Sequence, residues 1–305
     1  MIYPMPMAEG RIRRSGFIRA LFLGLLLFSI PAGQVFAARP TQKDMVKFNE
    51  ALESRFKQYG WTDITPGAIE WESHRTTAGK NPLMFTQFGS EGNECILFLG
   101  AVHGDEFPTV YLLFKLAAYL KENPLLFQDK CIVIAPLVNP DGFFANPPTR
   151  VNGNGVDINR NLPTKDWNAK ALSAWQGKNR ANKRYYPGRR AGSEAETLFQ
   201  IALIKRFKPK KILSVHSPLG FYDFDGPSVD LDSIEKWLDS ISRETNHPWE
   251  KFGYFPGSLG NYAGHERGIF TLTLELPSSD PRQGTVFFQK FQPAFLKFVE
   301  LSIKK

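Results

Sequence analysis

The chain has 305 residues, 42% of them hydrophobic and 22% charged, and carries a formal net charge of +8. This is the composition of an ordinary globular protein, long enough to bury a substantial core in one large domain. The region after residue 37 has no basic stripe interleaved with aromatic residues, so we do not expect nucleic acid as a partner.

The first 37 residues have the order typical of a secretory signal peptide. A basic cluster comes first, then the apolar run 20–30, then Pro31 and small residues ending at Ala37. The apolar run is too short to span a bilayer comfortably, so a membrane anchor is the less favoured alternative. We predict a signal peptide at 1–37, a folded domain at 38–305 and periplasmic or secreted localisation. We expect a monomer with no stable membrane insertion after processing.

Short apolar runs typical of buried strands alternate with helical segments along the domain. The runs are 95–99, 131–135, 211–215 and 270–274. Pro108 is suited to open one helix, and a capping box of Ser193 and Glu196 is suited to open another that ends near residue 207. This alternation predicts a single-domain α/β fold with three α/β/α layers and a mixed, mainly parallel central sheet.

Other segments complete the predicted fold. We expect an amphipathic helix ending at Gly60, a helix around 231–241, and a last helix from about 286 to 303 that is interrupted near Pro293. The polar segment 161–191 has no sustained periodicity, and we interpret it as a long excursion over one face, which is typical of functional loops.

Cys95 and Cys131 begin apolar runs. Buried structural cysteines and a disulfide are both compatible with that position.

Polar residues follow each of the four apolar runs at its carboxyl end. They are His103-Gly104-Asp105-Glu106, Asn139-Pro140-Asp141-Gly142, His216 and Glu275. Because the carboxyl ends of parallel strands form the ligand edge of an open α/β sheet, we expect these residues to converge on one site.

Two histidines and one glutamate at this edge predict a metal site. His103 and Glu106 are three residues apart on a glycine-containing turn, so that both can reach one ion, and His216 arrives from another strand. Two imidazoles and one carboxylate are the ligand set of a catalytic zinc ion, which keeps one position open for water. Taken alone, His103 and Glu106 are equally compatible with capping the following helix. With His216 added, we predict one Zn²⁺ ion.

Glu275 is predicted to be the catalytic carboxylate. It lies among apolar and β-branched residues of a strand, where a buried carboxylate needs a partner. Beside a metal ion it can take a proton from water and pass it to the departing amine. The structural alternative is a salt bridge with Arg150 or Arg267.

These motifs, with Gly155-Val156-Asp157-Ile158-Asn159-Arg160-Asn161, resemble the zinc metallocarboxypeptidase family over about residues 70–280. The resemblance implies that Asn159 and Arg160 bind the terminal carboxylate of a peptide substrate, and that Arg150 polarises the scissile carbonyl. A guanidinium group suits both tasks. The family's substrate-capping tyrosine has a candidate in Tyr262, although its spacing from Glu275 departs from the family pattern.

Within this family, the short connection from Asn139 to Asn159 and the sequence around His216 look most like bacterial murein peptide amidases. That resemblance implies a zinc hydrolase of peptidoglycan stem peptides, cutting between γ-D-glutamate and meso-diaminopimelate. A carboxypeptidase for another terminal residue of murein or ordinary peptides is an alternative with the same chemistry. An alternative of another class is a catalytically silent, zinc-dependent peptide-binding module, which we would expect to lack one of the ligands or Glu275.

Overall fold

The computed structural model describes residues 39–227 and 231–303, which belong to one compact unit. The predicted signal peptide at 1–37 lies outside the described residues and stays a prediction, as does the domain boundary that follows it. Within the described ranges, no helix combines the length and apolar character needed to cross a bilayer.

A mixed sheet of eight strands forms the centre of the described fold. The strands are β1 (Glu72–Thr76), β2 (Pro82–Gly89), β3 (Glu94–Leu99), β4 (Lys130–Ala135), β5 (Lys211–His216), β6 (Tyr222–Phe224), β7 (Trp249–Glu250) and β8 (Phe270–Glu275). Their order in the sheet is β1-β2-β4-β3-β5-β8-β6-β7. The four strands β4, β3, β5 and β8 are parallel to one another, whereas β2 and β6 run antiparallel to their neighbours β4 and β8. The predicted mixed, mainly parallel sheet is confirmed.

Helices cover both faces of this sheet. They are α1 (Gln42–Tyr59), α2 (Phe107–Glu122), α3 (Pro140–Phe144), α4 (Trp167–Gln176), α5 (Ala195–Phe207), α6 (Leu231–Thr245) and α7 (Gly284–Glu300). Successive side chains of β3 point to opposite faces of the sheet, so the domain has two hydrophobic cores. Ile96 and Phe98 pack in the core with α1, α2, α6 and α7, whereas Leu97 and Leu99 pack in the core with α5. The three-layer α/β/α prediction is therefore confirmed.

The structure corrects several local predictions. Helix α5 begins at Ala195 without a side-chain cap. The Ser193 hydroxyl donates to Glu194 and accepts from Asn161 Nδ2, so it does not accept from a backbone N–H group of the helix. Helix α7 continues through Pro293, held by aromatic side chains that bury one face of it on both sides of the proline. The polar segment 161–191 contains helix α4, which its weak periodicity did not indicate.

The two cysteines form a disulfide between Cys95 and Cys131. They are register partners at the start of the adjacent parallel strands β3 and β4, and both are buried. The pairing of β3 with β4 brings their side chains together. The disulfide therefore could not be predicted without knowing the strand order. The disulfide lies at the amino end of the strands, so it is remote from the ligand edge.

Candidate active site

Three sheet strands deliver the predicted metal and catalytic residues to the carboxyl edge. Strand β5 ends on His216 and β8 ends on Glu275, and these two residues are register partners in neighbouring parallel strands. The turn after β3 carries His103 and Glu106 immediately before α2. The predicted convergence of strand ends is thus present in the fold.

His103, Glu106 and His216 form a buried group whose potential ligand atoms all lie within 4.8 Å of one another. The Nδ1 atom of His103 is 2.6 Å from Glu106 Oε1, and the Nδ1 atom of His216 is 3.0 Å from Glu106 Oε2. The two Nδ1 atoms are 3.2 Å apart. Two imidazole nitrogens and a carboxylate that face one point are a donor set suited to zinc.

The outward nitrogen of each imidazole meets an oxygen atom. His103 Nε2 lies 3.3 Å from Asp157 Oδ1, and His216 Nε2 lies 3.0 Å from Ser214 Oγ. If Nε2 carries the proton and donates to these oxygens, both Nδ1 atoms keep a free lone pair for a metal. Metal-binding histidines are oriented in this way by hydrogen bonds to their second nitrogen. Both the ligand types and the histidine tautomers that these contacts favour are therefore suited to the predicted zinc ion.

Charge stabilises the ligand group in its ionised form. Burial alone would raise the pKa of the Glu106 carboxyl, but His103 and His216 overcome this effect and hold that pKa far below its usual range. The pKa of Glu275 moves the other way, because burial and, to a smaller degree, the negative charge of Glu106 raise it, while His216 opposes the shift. A carboxyl with a raised pKa is suited to accept and return a proton near neutral pH.

Asp157 connects the metal group to Arg150. It is fully buried, and its Oδ2 accepts from Arg150 Nε at 2.9 Å while its Oδ1 faces His103. Arg150 Nη1 lies 3.1 Å from His103 Nδ1, and the guanidinium carbon is 5.2 Å from the ring centre of Tyr185. Arg150 is thereby held at the rim of the metal group. Asp157 belongs to the motif Gly155–Asn161, and nothing in the local sequence indicated this role.

The motif Asn139-Pro140-Asp141-Gly142 has a structural role beside the site. Asn139 Oδ1 accepts from Gly142 N at 2.9 Å, and its Nδ2 donates to the Arg150 carbonyl at 3.0 Å. Gly104 of the metal turn lies against the same motif, where a Cβ atom would be 2.2 Å from the Gly142 carbonyl carbon. Only glycine allows this approach, so position 104 fixes the distance between the two loops.

A cavity of about 380 Å³ opens in front of the metal group, and Arg150, Asn159, Arg160 and Glu275 all line it. Asn159 Oδ1 accepts from Leu259 N at 2.8 Å. Arg160 Nη1 donates to the Asn159 carbonyl at 2.7 Å, and its guanidinium carbon lies 4.5 Å from the Phe255 ring centre. These contacts hold the predicted carboxylate-binding pair in the cavity wall, and the assignment of the pair to substrate binding stays a prediction.

Glu275 has no salt bridge with Arg150 or Arg267 in the described part of the chain. Arg150 pairs with Asp157, and Arg267 donates to the Tyr262 carbonyl. The Glu275 carboxylate accepts only a long hydrogen bond, 3.4 Å from Leu219 N. Its main chain is held more firmly, because the carbonyl lies 2.9 Å from the Nε2 atom of the buried His247.

Tyr262 is not brought to the cavity. Its side chain is 4% exposed and packs in the core on the α5 face, with the Arg267 guanidinium carbon 3.4 Å from its ring centre. The tyrosine in the cavity wall is Tyr185, from the segment 161–191. This segment is tied to the metal turn by Arg184, whose Nη1 donates to Asp105 Oδ2 at 2.5 Å. The segment 161–191 thus forms part of the cavity wall.

Two acidic residues of the cavity were missed by the sequence analysis. Asp223 and Asp225 line it from β6 and the residue just beyond, and each is 8% exposed. Strand β6 has only three residues, so no periodicity marked it as a strand. A single polar residue between two aromatic ones, as at Asp223, was the only available signal.

Comparison with known proteins agrees with this geometry. The family model described as zinc carboxypeptidase matches residues 65–222. Murein peptide amidase A of Vibrio campbellii is 28% identical over 241 residues, which cover 74% of this chain and 87% of the relative. Murein peptide amidase A of Escherichia coli K12 is 30% identical over 207 residues, covering 65% of this chain and 78% of the relative.

A solved structure is similar as well. The crystal structure of murein-tripeptide amidase from Escherichia coli O157 has a TM-score of 0.55 and 25% identity, and the match covers 77% of this chain and 93% of that one. The family match includes more than half of the chain, and the metal turn of His103 and Glu106 lies within it. The chain therefore belongs to the zinc carboxypeptidase family, as a hydrolase related to murein peptide amidases.

Proposed function

We propose that this protein uses one zinc ion, held by His103, Glu106 and His216, to hydrolyse an amide bond next to a free terminal carboxylate in peptidoglycan stem peptides. The bond we propose is the one between γ-D-glutamate and meso-diaminopimelate. The observation that carries this proposal is the convergence of the metal group, the carboxyl of Glu275 and two cavity arginines around one cavity. The relatives named murein peptide amidase support the choice of substrate.

Each residue has a distinct task in this mechanism. Arg160 and Asn159 bind the terminal carboxylate and so place the preceding amide bond beside the metal group. Zinc, when bound, supplies the positive charge that acidifies water and polarises a carbonyl. Glu275 takes a proton from the attacking water and returns it to the amine nitrogen as the C–N bond breaks. Arg150 donates hydrogen bonds to the oxyanion that develops on the carbonyl carbon.

The decisive variant is Glu275→Gln, which keeps the shape of the side chain and removes its basicity. We expect turnover to fall by about 10²–10⁴-fold, the usual contribution of general acid–base catalysis, with zinc content and substrate binding retained. Glu250→Gln is the matched control, since it removes the same charge from an exposed residue of β7 outside the cavity. Unchanged turnover in Glu275→Gln would contradict the mechanism, and a wild type that binds peptides without cutting them would favour the binding module.

The substrate is tested with purified muropeptides. Tri-, tetra- and pentapeptide forms are incubated with the protein lacking residues 1–37 and analysed by mass spectrometry. Release of free meso-diaminopimelate from the tripeptide is the expected result. Cleavage of a plain peptide with no change in any wall peptide would reject murein as the substrate and favour an ordinary carboxypeptidase.

We also propose that the protein works outside the cytoplasm, in keeping with the basic and apolar order of residues 1–37. Fractionation of bacteria that express the full chain tests this proposal. The expected result is protein in the periplasm or medium, shortened by about the length of this segment. Once Arg11, Arg13, Arg14 and Arg19 are replaced, full-length protein is expected in the cytoplasm. Cytoplasmic protein of full length from the native sequence would contradict export.

A further inference from the structure

The positive charge of the domain is concentrated in the segment 161–191. These 31 residues contain eight lysines and arginines and one acidic residue, Asp166, which gives the segment a formal charge of +7. Residues 38–305 together carry only +5, so the rest of the domain is slightly negative. A charge excess confined to one short segment creates a strong local positive potential, which attracts anionic partners to that place.

Most of these cations have no carboxylate partner within the described residues, and all eight are exposed. Lys170 pairs with Asp166 at 3.6 Å, and Arg184 pairs with Asp105. The other six make no ion pair there, and together with Lys170 and Arg184 they form what we call the basic surface: Lys165, Lys178, Arg180, Lys183, Arg189 and Arg190. Like charges on one short segment repel one another, and a polyanion relieves that repulsion.

The backbone that displays the basic surface is ordered. In the turn after α4, Trp175 Nε1 donates to the Asn182 carbonyl at 2.8 Å, and Ala181 N donates to the Trp175 carbonyl at 2.9 Å. These contacts hold Arg180 and Ala181 at φ values of 50° and 51°, a left-handed conformation that residues other than glycine rarely adopt. An ordered surface loses little conformational freedom when it binds a partner.

The basic surface borders the entrance of the active-site cavity. Lys178 and Arg184 line the cavity, whereas Arg180 and Lys183 lie beside them in the chain and outside its lining. The contact between Arg184 and Asp105 ties this part of the segment to the metal turn. A partner bound to the basic surface therefore lies at the cavity entrance, where one of its branches can reach the metal group.

The aromatic rings of the segment are engaged in packing. Trp167 is buried, and Trp175 packs edge-on against Tyr186 with 4.9 Å between the ring centres. The Tyr185 ring lies 5.2 Å from the guanidinium carbon of Arg150. Binding of single-stranded nucleic acid depends on exposed rings on which bases stack. The segment instead offers positive charge, which fits an anionic partner without bases.

The position of the charge favours a branched polymer over a membrane. A flat anionic bilayer on the basic surface would cover the cavity entrance. A polymer strand can lie on the same surface and place one side branch in the cavity. Peptidoglycan has the required charge, because a γ-linked glutamate keeps its α-carboxylate and a terminal diaminopimelate has two carboxylates and one free amine.

We propose that the basic surface binds the peptidoglycan polymer through free carboxylates of its stem peptides and so holds a neighbouring stem in the cavity. This inference rests on the proposed function and names polymer-bound stem peptides as the substrate class. Each contact is an exposed ion pair and is weak alone, so affinity comes from many simultaneous contacts. Binding is therefore reversible and sensitive to salt, which lets the enzyme move from one stem to the next.

Co-sedimentation with purified, insoluble peptidoglycan tests the binding. Zinc-loaded Glu275→Gln, lacking residues 1–37, serves as the parent protein so that the polymer is not consumed. In the test variant glutamine replaces four exposed cations that do not line the cavity: Arg180, Lys183, Arg189 and Arg190. We expect the parent to bind at low salt and to be released at about 0.5 M NaCl. The test variant should bind about 10-fold more weakly or worse, because four ion pairs are lost.

A matched control removes the same charge elsewhere. Glutamine replaces four exposed lysines of α1 and α6, namely Lys43, Lys47, Lys57 and Lys236. This variant should bind like the parent, and the melting temperatures of both variants verify that they fold. Full binding by the test variant, or an equal loss in the control variant, would overturn the inference.

Two further partners test the choice of polymer. Peptidoglycan whose carboxylates have been converted to amides should not bind, and undiminished binding to it would contradict recognition through carboxylates. Vesicles that contain phosphatidylglycerol should bind more weakly than peptidoglycan. Equal or tighter binding to these vesicles, lost in the test variant, would overturn the polymer in favour of a membrane.

Kinetics with active protein separate this inference from the proposed function. Replacing the same four cations in the wild type should leave kcat/KM for a free tripeptide unchanged and lower release from intact peptidoglycan by about 10-fold. Charge-dependent binding without hydrolysis would support the basic surface while the proposed function fails. Cleavage of the free tripeptide without polymer binding would leave the proposed function intact and overturn this inference.

Discussion

Asp157 is the residue whose substitution we expect to weaken metal binding and folding stability together. It is fully buried and accepts from Arg150 Nε at 2.9 Å and from Asn159 N at 3.0 Å, while its Oδ1 faces His103 Nε2 at 3.3 Å. In Asp157→Asn the shape persists, but the negative charge and one acceptor are lost. Removing such a partner of a metal-binding histidine costs about 10–100-fold in metal affinity, the equivalent of about 1.4–2.7 kcal/mol.

Stability should fall in the same variant. Arg150 loses its closest carboxylate, and breaking a buried ion pair costs about 3–5 kcal/mol. Glu106 Oε1, 3.7 Å from Arg150 Nη1, compensates in part, so we expect the lower end of this range. A loss of ~3 kcal/mol in a domain of this size lowers the melting temperature by roughly 6–12 °C. Both effects act on protein that still folds.

Two measurements check these magnitudes. Zinc affinity is measured by competition with a chromophoric chelator, and melting temperature is measured with chelator and again with saturating zinc. Asp141→Asn is the matched control, since Asp141 accepts only from neutral groups, including Gly79 N and Asn81 Nδ2. That variant should lose stability and keep zinc affinity. If Asp157→Asn binds zinc as tightly as the wild type, our account of how His103 is oriented is wrong.

Two further predictions concern buried basic residues. His247→Phe keeps a ring between Tyr222 and Phe291 but removes the 2.9 Å contact with the Glu275 carbonyl, so we expect kcat to fall about 10-fold at constant zinc content. His247→Gln, which can still donate, should recover part of the loss, and equal rates for all three proteins would exclude a positioning role. Burial lowers the pKa of Lys211 to about 8, whereas an unfolded lysine titrates near 10.4. The folded state therefore releases this proton first, and the lysine's contribution to the free energy of unfolding rises by about 3 kcal/mol between pH 8 and 10.4. Urea denaturation of Lys211→Met should lack this rise, and parallel pH profiles for variant and wild type would refute the assignment.

The sequence predicted the parts of the site that follow long apolar strands. His216 and Glu275 are the last residues of β5 and β8, and His103 and Glu106 lie in the turn after β3, so their position at one edge follows from the strand pattern. Asp223 belongs to a three-residue strand that has no such pattern, and Asp225 is the residue just beyond it. Asp157 faces His103, which lies 54 residues earlier in the chain, so the sequence did not pair them. Tyr262 faces a core because it lies in the short helix Gly260–His265, which packs it inward.

The same limit applies to the fold. The four central strands carry continuous apolar runs and were predicted, whereas β1 at the sheet edge alternates exposed and buried residues over only five positions. The disulfide depended on strand order, since residues 36 apart in sequence meet only if β3 and β4 are neighbours. Local sequence patterns predict individual helices and strands. Which side chains come into contact depends on how those strands pair, and local sequence does not specify that pairing.

The register between β5 and β8 has a consequence for how this scaffold can diversify. His216 and Glu275 are opposite each other in a parallel ladder, so main-chain hydrogen bonds set the spacing between the proposed metal ligand and the proposed proton acceptor. Part of the cavity wall, by contrast, comes from the segment 161–191 and the turn around Phe255, and surface loops generally tolerate insertion and exchange. Grafting these loops from relatives should therefore change which ligands fit the cavity while the spacing between His216 and Glu275 stays the same.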